Sequence, residues 1–373
     1  MDKRIFILVL VSLLVGLSWA EQKSTTVRFP EVSAKTDSLS PSAAEAVQLL
    51  AKGNAYHDNG MFREAIACYM RADSLNPGMS VVGYEIAYSY MMLGENDSAV
   101  VYGKKSIALS PRPDTYSLLG DIYDHLGKLD SALYYYDEGL EKFPDSYLLM
   151  YNKSVCLYVA HRSAEAYGVI LNSLKYTRRH EGSYFLAGQL AYGLGYGIDF
   201  FANGSYANFI GETEARMLHF AKCFSQLVGF YDAHGDNRPS LRVHPDWINA
   251  FMYRFAKNEA PGENLFGSGN GANSLGTEPE KYELLVRLGI YAMREAVKGA
   301  YDFELKPFFR ATVENGYEEE FMRIVFRHVN RVAYDSWKMM NEKRLEAYYE
   351  KVVLPFWDGE QRLRRPILVD RPQ

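Results

Sequence analysis

His219 and Cys223 stand four residues apart in a stretch of helical periodicity, so both fall on one helix face. One imidazole and one thiol supply at best half of a tetrahedral zinc site, and packing within a helix explains them better. Gly267-Ser268-Gly269-Asn270-Gly271 has the glycine content of a phosphate-cradling loop. It lacks the Gly-Lys-Ser/Thr ending and no strand precedes it, which makes it a mobile surface loop. His180, His219, His234, His244 and His328 have no motif around them, and His244, before Pro245, is placed to cap a helix or face solvent. The chain has no Gly-x-Ser-x-Gly, His-Glu-x-x-His, paired-cysteine or dinucleotide signature. No catalytic residue, metal ligand or cofactor is therefore assigned.

What recurs is spacing. Gly53, Ala87, Gly120 and Ser154 follow one another at 34, 33 and 34 residues. Ala65, Ala99, Ala132 and Ala166 stand twelve residues after them, and Tyr56, Tyr90, Tyr123 and Leu157 three after. Seven after them come Gly60, Gly94, Gly127 and then His161, and Pro77, Pro111 and Pro144 close the first three units. A fixed period of this kind outranks other local signals. Each unit has room for two helices of about 13 residues split by a glycine turn; in the first unit they fall near Ala46–Asn59 and Arg63–Leu75. The small residue of the first helix and the alanine of the second let the two backbones approach, and the proline stops the second helix. A single hairpin cannot bury its apolar face, so the hairpins must stack into a solenoid.

At these residues the chain resembles the tetratricopeptide repeat family, over about Ala46 to His180. Three units match strongly. The fourth is weaker, with Arg178 where proline belongs. A fifth begins near Glu181 with Gly188 and Gly195, but no second helix follows in register, so the array ends or is interrupted there. The resemblance implies an all-α chain, a helical-hairpin solenoid over 41–200 followed by a helical C-terminal domain over 201–356. It also implies that the first helix of each unit lines a concave, peptide-holding groove. Carried over residue by residue, that groove is Asn54, His57 and Asp58; Tyr84, Tyr88 and Met91; Ser117, Asp121 and Asp124; Tyr151, Val155 and Tyr158; with Phe185 and Tyr192 from a fifth unit. Relatives that clamp acidic C-termini use Lys, Arg and Asn there, and of these Asn54 is kept. No Lys or Arg occupies these positions, which argues against that subclass.

The remaining segments carry less. Asp2-Lys3-Arg4, the 13-residue apolar run Ile5–Leu17 and Ser18-Trp19-Ala20 have the layout of a cleaved signal peptide over 1–20. A flexible polar spacer over 21–40 follows. Three cysteines, Cys68, Cys156 and Cys223, are too few for a disulfide scaffold and read as buried apolar residues. Residues 181–211 are aromatic and glycine-rich, which suggests a buried helix and a loop with a turn at Asn203-Gly204 rather than a membrane span. Beyond that, helices are expected with Met217, Phe220, Phe224 and Leu227 inward, from Pro245 with Trp247, Phe251 and Phe255, and after a Thr277–Glu280 capping box with Leu284, Leu285, Leu288 and Tyr291 inward. Pro307 opens a short helix, and a last long helix begins at Glu318 with Phe321, Val325, Val329 and Val332 as its stripe. The arginines of the 357–373 tail suit a solvated charge run.

A net charge of −5 disfavours a role on nucleic acid. The sequence thus points to an exported interaction protein, an adaptor or assembly factor in the periplasm or at the cell surface of a bacterium, with no membrane span after cleavage. Its groove of tyrosines and aspartates suits a protein or peptide with apolar side chains and some basic character. The alternatives are an exported enzyme with its active site in the C-terminal helical domain, or a glycan binder.

Overall fold

Each hairpin turns on one backbone conformation. Gly60, Gly94 and Gly127 have φ of +76°, +75° and +68°, the left-handed region that ends a helix where a side chain is unfavourable. His161 takes the same place in the fourth unit at φ +61°. The computed structural model describes residues 40–194, 196–211, 213–227, 279–298 and 302–357. The apolar leader, the spacer up to residue 39, the helix expected after Pro245, the glycine-rich segment, Thr277 and the tail beyond Trp357 lie outside them. Of the described residues 81 % are helical, and no strand occurs among them. It divides into two compact units, Met1–Tyr176 and Thr177–Gln373.

The first unit is four hairpins: α1 (Pro41–Asp58) with α2 (Phe62–Leu75), α3 (Ser80–Met92) with α4 (Asn96–Leu109), α5 (Pro113–His125) with α6 (Leu129–Lys142), and α7 (Tyr147–Val159) with α8 (Ser163–Ser173). α1 starts earlier than its repeat period suggested, because the Ser40 hydroxyl accepts from the Ala43 N–H at 3.2 Å and Pro41 fits the first turn. Ser146 caps α7 in the same way. The repeating alanines Ala65, Ala99, Ala132 and Ala166 are fully buried. The repeating small positions answer to what faces them. A Cβ on Gly53 would lie 2.4 Å from the Tyr69 ring, and one on Gly120 2.5 Å from the Tyr136 ring. In the second repeat the sizes are exchanged: Ala87 stands at the small position, Gly103 on α4 replaces the tyrosine, and Leu119 fills the space over it.

The second unit opens on a fifth hairpin, α9 (Glu181–Leu194) and α10 (Gly197–Ile210). A second helix therefore does follow, contrary to the expectation from register. Asn203 and Gly204 form no turn: both are buried inside α10. The reason is tertiary. A Cβ on Gly188 would sit 3.0 Å from the Gly204 backbone nitrogen, so the two glycines let the helix backbones touch, and the packing outweighs the turn preference of Asn-Gly.

α11 (Glu214–Leu227) buries Met217, Phe220 and Phe224 as the pattern predicted. α12 (Pro279–Lys298) buries Leu285 and Leu288, but Tyr291 is exposed. Its buried stripe runs instead through Tyr282, Leu285, Ala292 and Ala296 and centres on Gly289, which lies against Met322. The expected last long helix is divided: α13 (Lys306–Glu314) is followed by α14 (Glu318–Val325), α15 (Arg331–Met340), α16 (Glu342–Tyr348), a π-turn (Tyr349–Val353) and α17 (Leu354–Phe356). The break has two causes. Asn330 accepts from the Ala333 N–H at 3.0 Å and starts α15 anew, while Arg327 donates to the Ile324 and Asn208 carbonyls, each at 2.7 Å, and to that of Gly211. Val332 consequently faces solvent. Tyr206, Phe209, Phe308, Phe321, Tyr348, Tyr349 and Trp357 form an aromatic core, in which the Trp357 indole N–H donates to the Tyr206 hydroxyl at 2.8 Å.

Candidate peptide-binding face

Polar contacts between residues about one repeat apart join α1 to α3 and α5 to α7. His57 Nδ1 and Ser89 Oγ share a hydrogen bond of 2.9 Å. The Asn152 amide donates to Ser117 Oγ at 2.5 Å. The Cys156 thiol donates to Asp124 Oδ1 at 3.4 Å. Burial and then the Asp124 charge push that thiol well above its ordinary range, so it stays protonated and unreactive.

Two groove residues serve tyrosines of the second helices. The Tyr69 hydroxyl donates to Asn54 Oδ1 at 2.8 Å, and the Tyr136 hydroxyl donates to Asp121 Oδ1 at 2.5 Å. Both contacts span fifteen residues, two repeats apart, beside the glycines that admit the rings. They let a large amphipathic ring be buried with its polar tip satisfied.

The groove residues chosen from sequence thus separate into two groups. Met91 and Tyr151 are buried, and His57 is 7 % exposed, so these three belong to the packed wall rather than to a contact surface. Ser117 is buried with Asn152 beside it. Asn54, Tyr84, Tyr88, Asp121, Asp124 and Tyr158 are half-buried, and Asp58 is exposed. The structure draws together those of the first three hairpins. Tyr88 stacks on His57 with ring centroids 4.8 Å apart and on Tyr84 at 6.2 Å. Tyr158 and Val155 belong to the fourth hairpin, and Phe185 and Tyr192 to the second unit.

Sequence reasoning passed over the charge at the centre of this cluster. Glu85 is the one charged residue of α3, whose sequence is otherwise apolar or neutral, and that isolation was the signal available. Burial, then Asp114 and Asp58, raise its carboxyl from 4.5 to about 7, against the opposing pull of Arg112. Burial and the charges of Glu85, Asp121 and Asp58 likewise raise the Tyr88 hydroxyl to about 12. Burial, Glu85, Asp114 and Asp121 hold Tyr84 well above its usual range. The face is not free of cations, as its first-helix positions suggested: Arg112, just before α5, holds Asp114 through contacts of 2.5, 3.1 and 3.2 Å. Even so, Asp58, Glu85, Asp114 and Asp121 outnumber it.

Residues 49–79 and 113–145 match the tetratricopeptide repeat family. The chain carries tetratricopeptide repeats at these residues. It is similar to a tetratricopeptide repeat-containing protein of Methanocaldococcus jannaschii, 32 % identical over 111 residues, 29 % of this chain and 34 % of that one. It is also similar to the small glutamine-rich tetratricopeptide repeat-containing protein 2 of Mycosarcoma maydis, 31 % identical over 107 residues, 28 % of this chain and 30 % of that one. The chain thus spans about a third of the length of these curated relatives.

Among solved structures it is similar to a thermophilic repeat protein of Thermus thermophilus (18 % identity, 48 % of this chain and 98 % of that one, TM-score 0.41). It is also similar to pilF of Pseudomonas aeruginosa (13 % identity, 58 % and 93 %, TM-score 0.45). A third is YrrB, described as a repeat protein with an unusual peptide-binding site (18 % identity, 47 % and 90 %, TM-score 0.35). Tetratricopeptide repeats mediate protein–protein interaction and are generally non-enzymatic scaffolds. Among the described residues no helix is long and apolar enough to cross a membrane.

Proposed function

We propose that this chain is an exported adaptor or assembly factor that holds a segment of another protein on the face of α1, α3 and α5. The observation that carries the reading is the stacked, half-buried Tyr84–Tyr88 pair, backed by buried His57 and surrounded by the charges of Asp58, Glu85 and Asp121. Half-buried tyrosines supply rigid contact area with little conformational entropy to lose, and the surrounding carboxylates favour a partner of opposite charge. An apolar segment with some basic character fits both requirements. Export rests on the leader, whose small residues precede a cut after Ala20. N-terminal sequencing of the protein from a periplasmic fraction is expected to begin at Glu21.

Capture experiments with the full chain test the binding role. Wild type and a Tyr84→Ala, Asp58→Ala double variant are compared in an envelope extract, with equal melting temperatures as the control for folding. Loss of an identified partner from the double variant supports the reading. Equal recovery by both overturns it.

A further inference from the structure

We infer that this face contains a recessed acceptor for one cationic side chain, with Glu85 as its buried counter-charge, so that the bound segment presents a lysine or an arginine. The inference rests on the peptide-binding reading above and narrows it to a chemistry.

Glu85 is only 7 % exposed, yet among the described residues it makes neither a hydrogen bond nor an ion pair. A carboxylate so recessed and without a partner is costly, and because its oxygens are not sealed from solvent a cation can still reach them. Its neighbours do not supply the missing charge. Asp58 of α1, Tyr69 of α2, Tyr84 and Tyr88 of its own helix, Asp114 of α5 and Arg112 just before it are the charged and titratable groups near enough to interact with it. Arg112 is the cation that acts on Glu85, and its guanidinium is already bound to Asp114.

The shape of the surroundings selects among cations. Tyr84 and Tyr88 stack on one another on the same helix as Glu85, whose charge acts on both hydroxyls, and aromatic rings there favour an organic ammonium or guanidinium group on an apolar stem. Among the described residues no group of three or more His, Cys, Asp or Glu side chains is placed to hold a metal ion. A lysine or arginine entering here would give Glu85 its missing partner and keep its stem against Tyr84 and Tyr88.

Binding by such a residue draws the Glu85 proton off, so affinity for a cationic peptide should fall as pH drops below about 7, and a neutral peptide should show no such fall.

A positional-scanning library of acetylated, amidated octapeptides, screened on the full chain, tests this. The best-bound pools are expected to carry Lys or Arg at one position among apolar residues. Replacing that residue by norleucine should weaken binding at least tenfold at pH 8. Glu85→Gln should weaken the cationic peptide by a similar factor and leave the norleucine peptide unchanged. If apolar pools bind as well as cationic ones, or Glu85→Gln binds both peptides as wild type does, the acceptor is refuted while peptide binding stands. If no pool binds, both readings fall together.

Discussion

The two units of this chain solve the burial of polar groups in opposite ways. In the second unit, buried charged side chains have partners: Arg327 donates to three backbone carbonyls, Arg216 lies 3.2 Å from Glu181, and Glu318 and Glu320 bind Arg294 and Arg344. In the first unit, Tyr69 and Tyr136 are satisfied on the repeat, but Glu85 is left without a partner. A polar group that is buried and satisfied holds a structure together. One that is buried and left open is available to bind something else.

The contrast can be broken most forcibly at Arg327. Arg327→Leu strands buried carbonyls of Asn208, Gly211 and Ile324, and should cost about 3–5 kcal/mol. Trp337 and Trp357 lie in the second unit, and residues 41–176 contain no tryptophan. Tryptophan fluorescence during denaturant unfolding should therefore shift far more than far-ultraviolet ellipticity. Equal shifts in both signals would mean that the two units do not unfold as separate bodies.

Glu85→Gln should act in the other direction. A carboxyl raised in the folded state from 4.5 to about 7 leaves stability untouched below pH 4.5, erodes it between pH 4.5 and 7, and above that levels off at a cost of roughly 3 kcal/mol. The glutamine variant should therefore melt higher than wild type at pH 8 and with it at pH 4.5. Parallel melting curves across that range would show that Glu85 is not an uncompensated charge.

Gly120→Ala sharpens the view of the repeats. Its Cβ would meet the Tyr136 ring at 2.5 Å, and the ring is held in place by Asp121, so the overpacking should cost about 2 kcal/mol. Pairing it with Tyr136→Leu, which removes the obstacle, should recover part of the loss. A double variant no more stable than the sum of the singles predicts would mean that the ring does not set the glycine.

These sites also mark what the sequence could reveal. The repeat was legible because close helix contact demands a small residue at a fixed place, and the left-handed turn demands glycine seven residues later. The groove was legible only as a set of positions. Which side chains of that set are sealed, as Met91 and Tyr151 are, depends on what the neighbouring hairpin brings against them. In the second unit no period operates, and the turn expected at Asn203-Gly204 and the continuous helix after Glu318 both failed where long-range partners intervened: Gly188 in one case, Arg327 in the other. Local preference was overridden where distant residues made the tighter contact.

The smallest effect expected is at the fourth turn, where the repeat itself is irregular. His161 holds φ +61° in the place that glycine fills in the three preceding hairpins, and its side chain is exposed. A non-glycine residue in that region is strained, whereas glycine is not, although glycine also gives the unfolded chain more freedom. The balance favours His161→Gly by about 0.5–1 kcal/mol. Because the gain is local, global melting is a blunt test of it. Hydrogen exchange in peptides covering residues 147–173 should slow by a factor of about 2 to 5, while peptides from α1 to α4 are unchanged. The reciprocal change, Gly127→His, should speed exchange in α5 and α6 to a similar degree. If both substitutions left exchange unaltered, the left-handed turn would not limit hairpin stability, and the weakness of the fourth repeat would have to be sought in its packing instead.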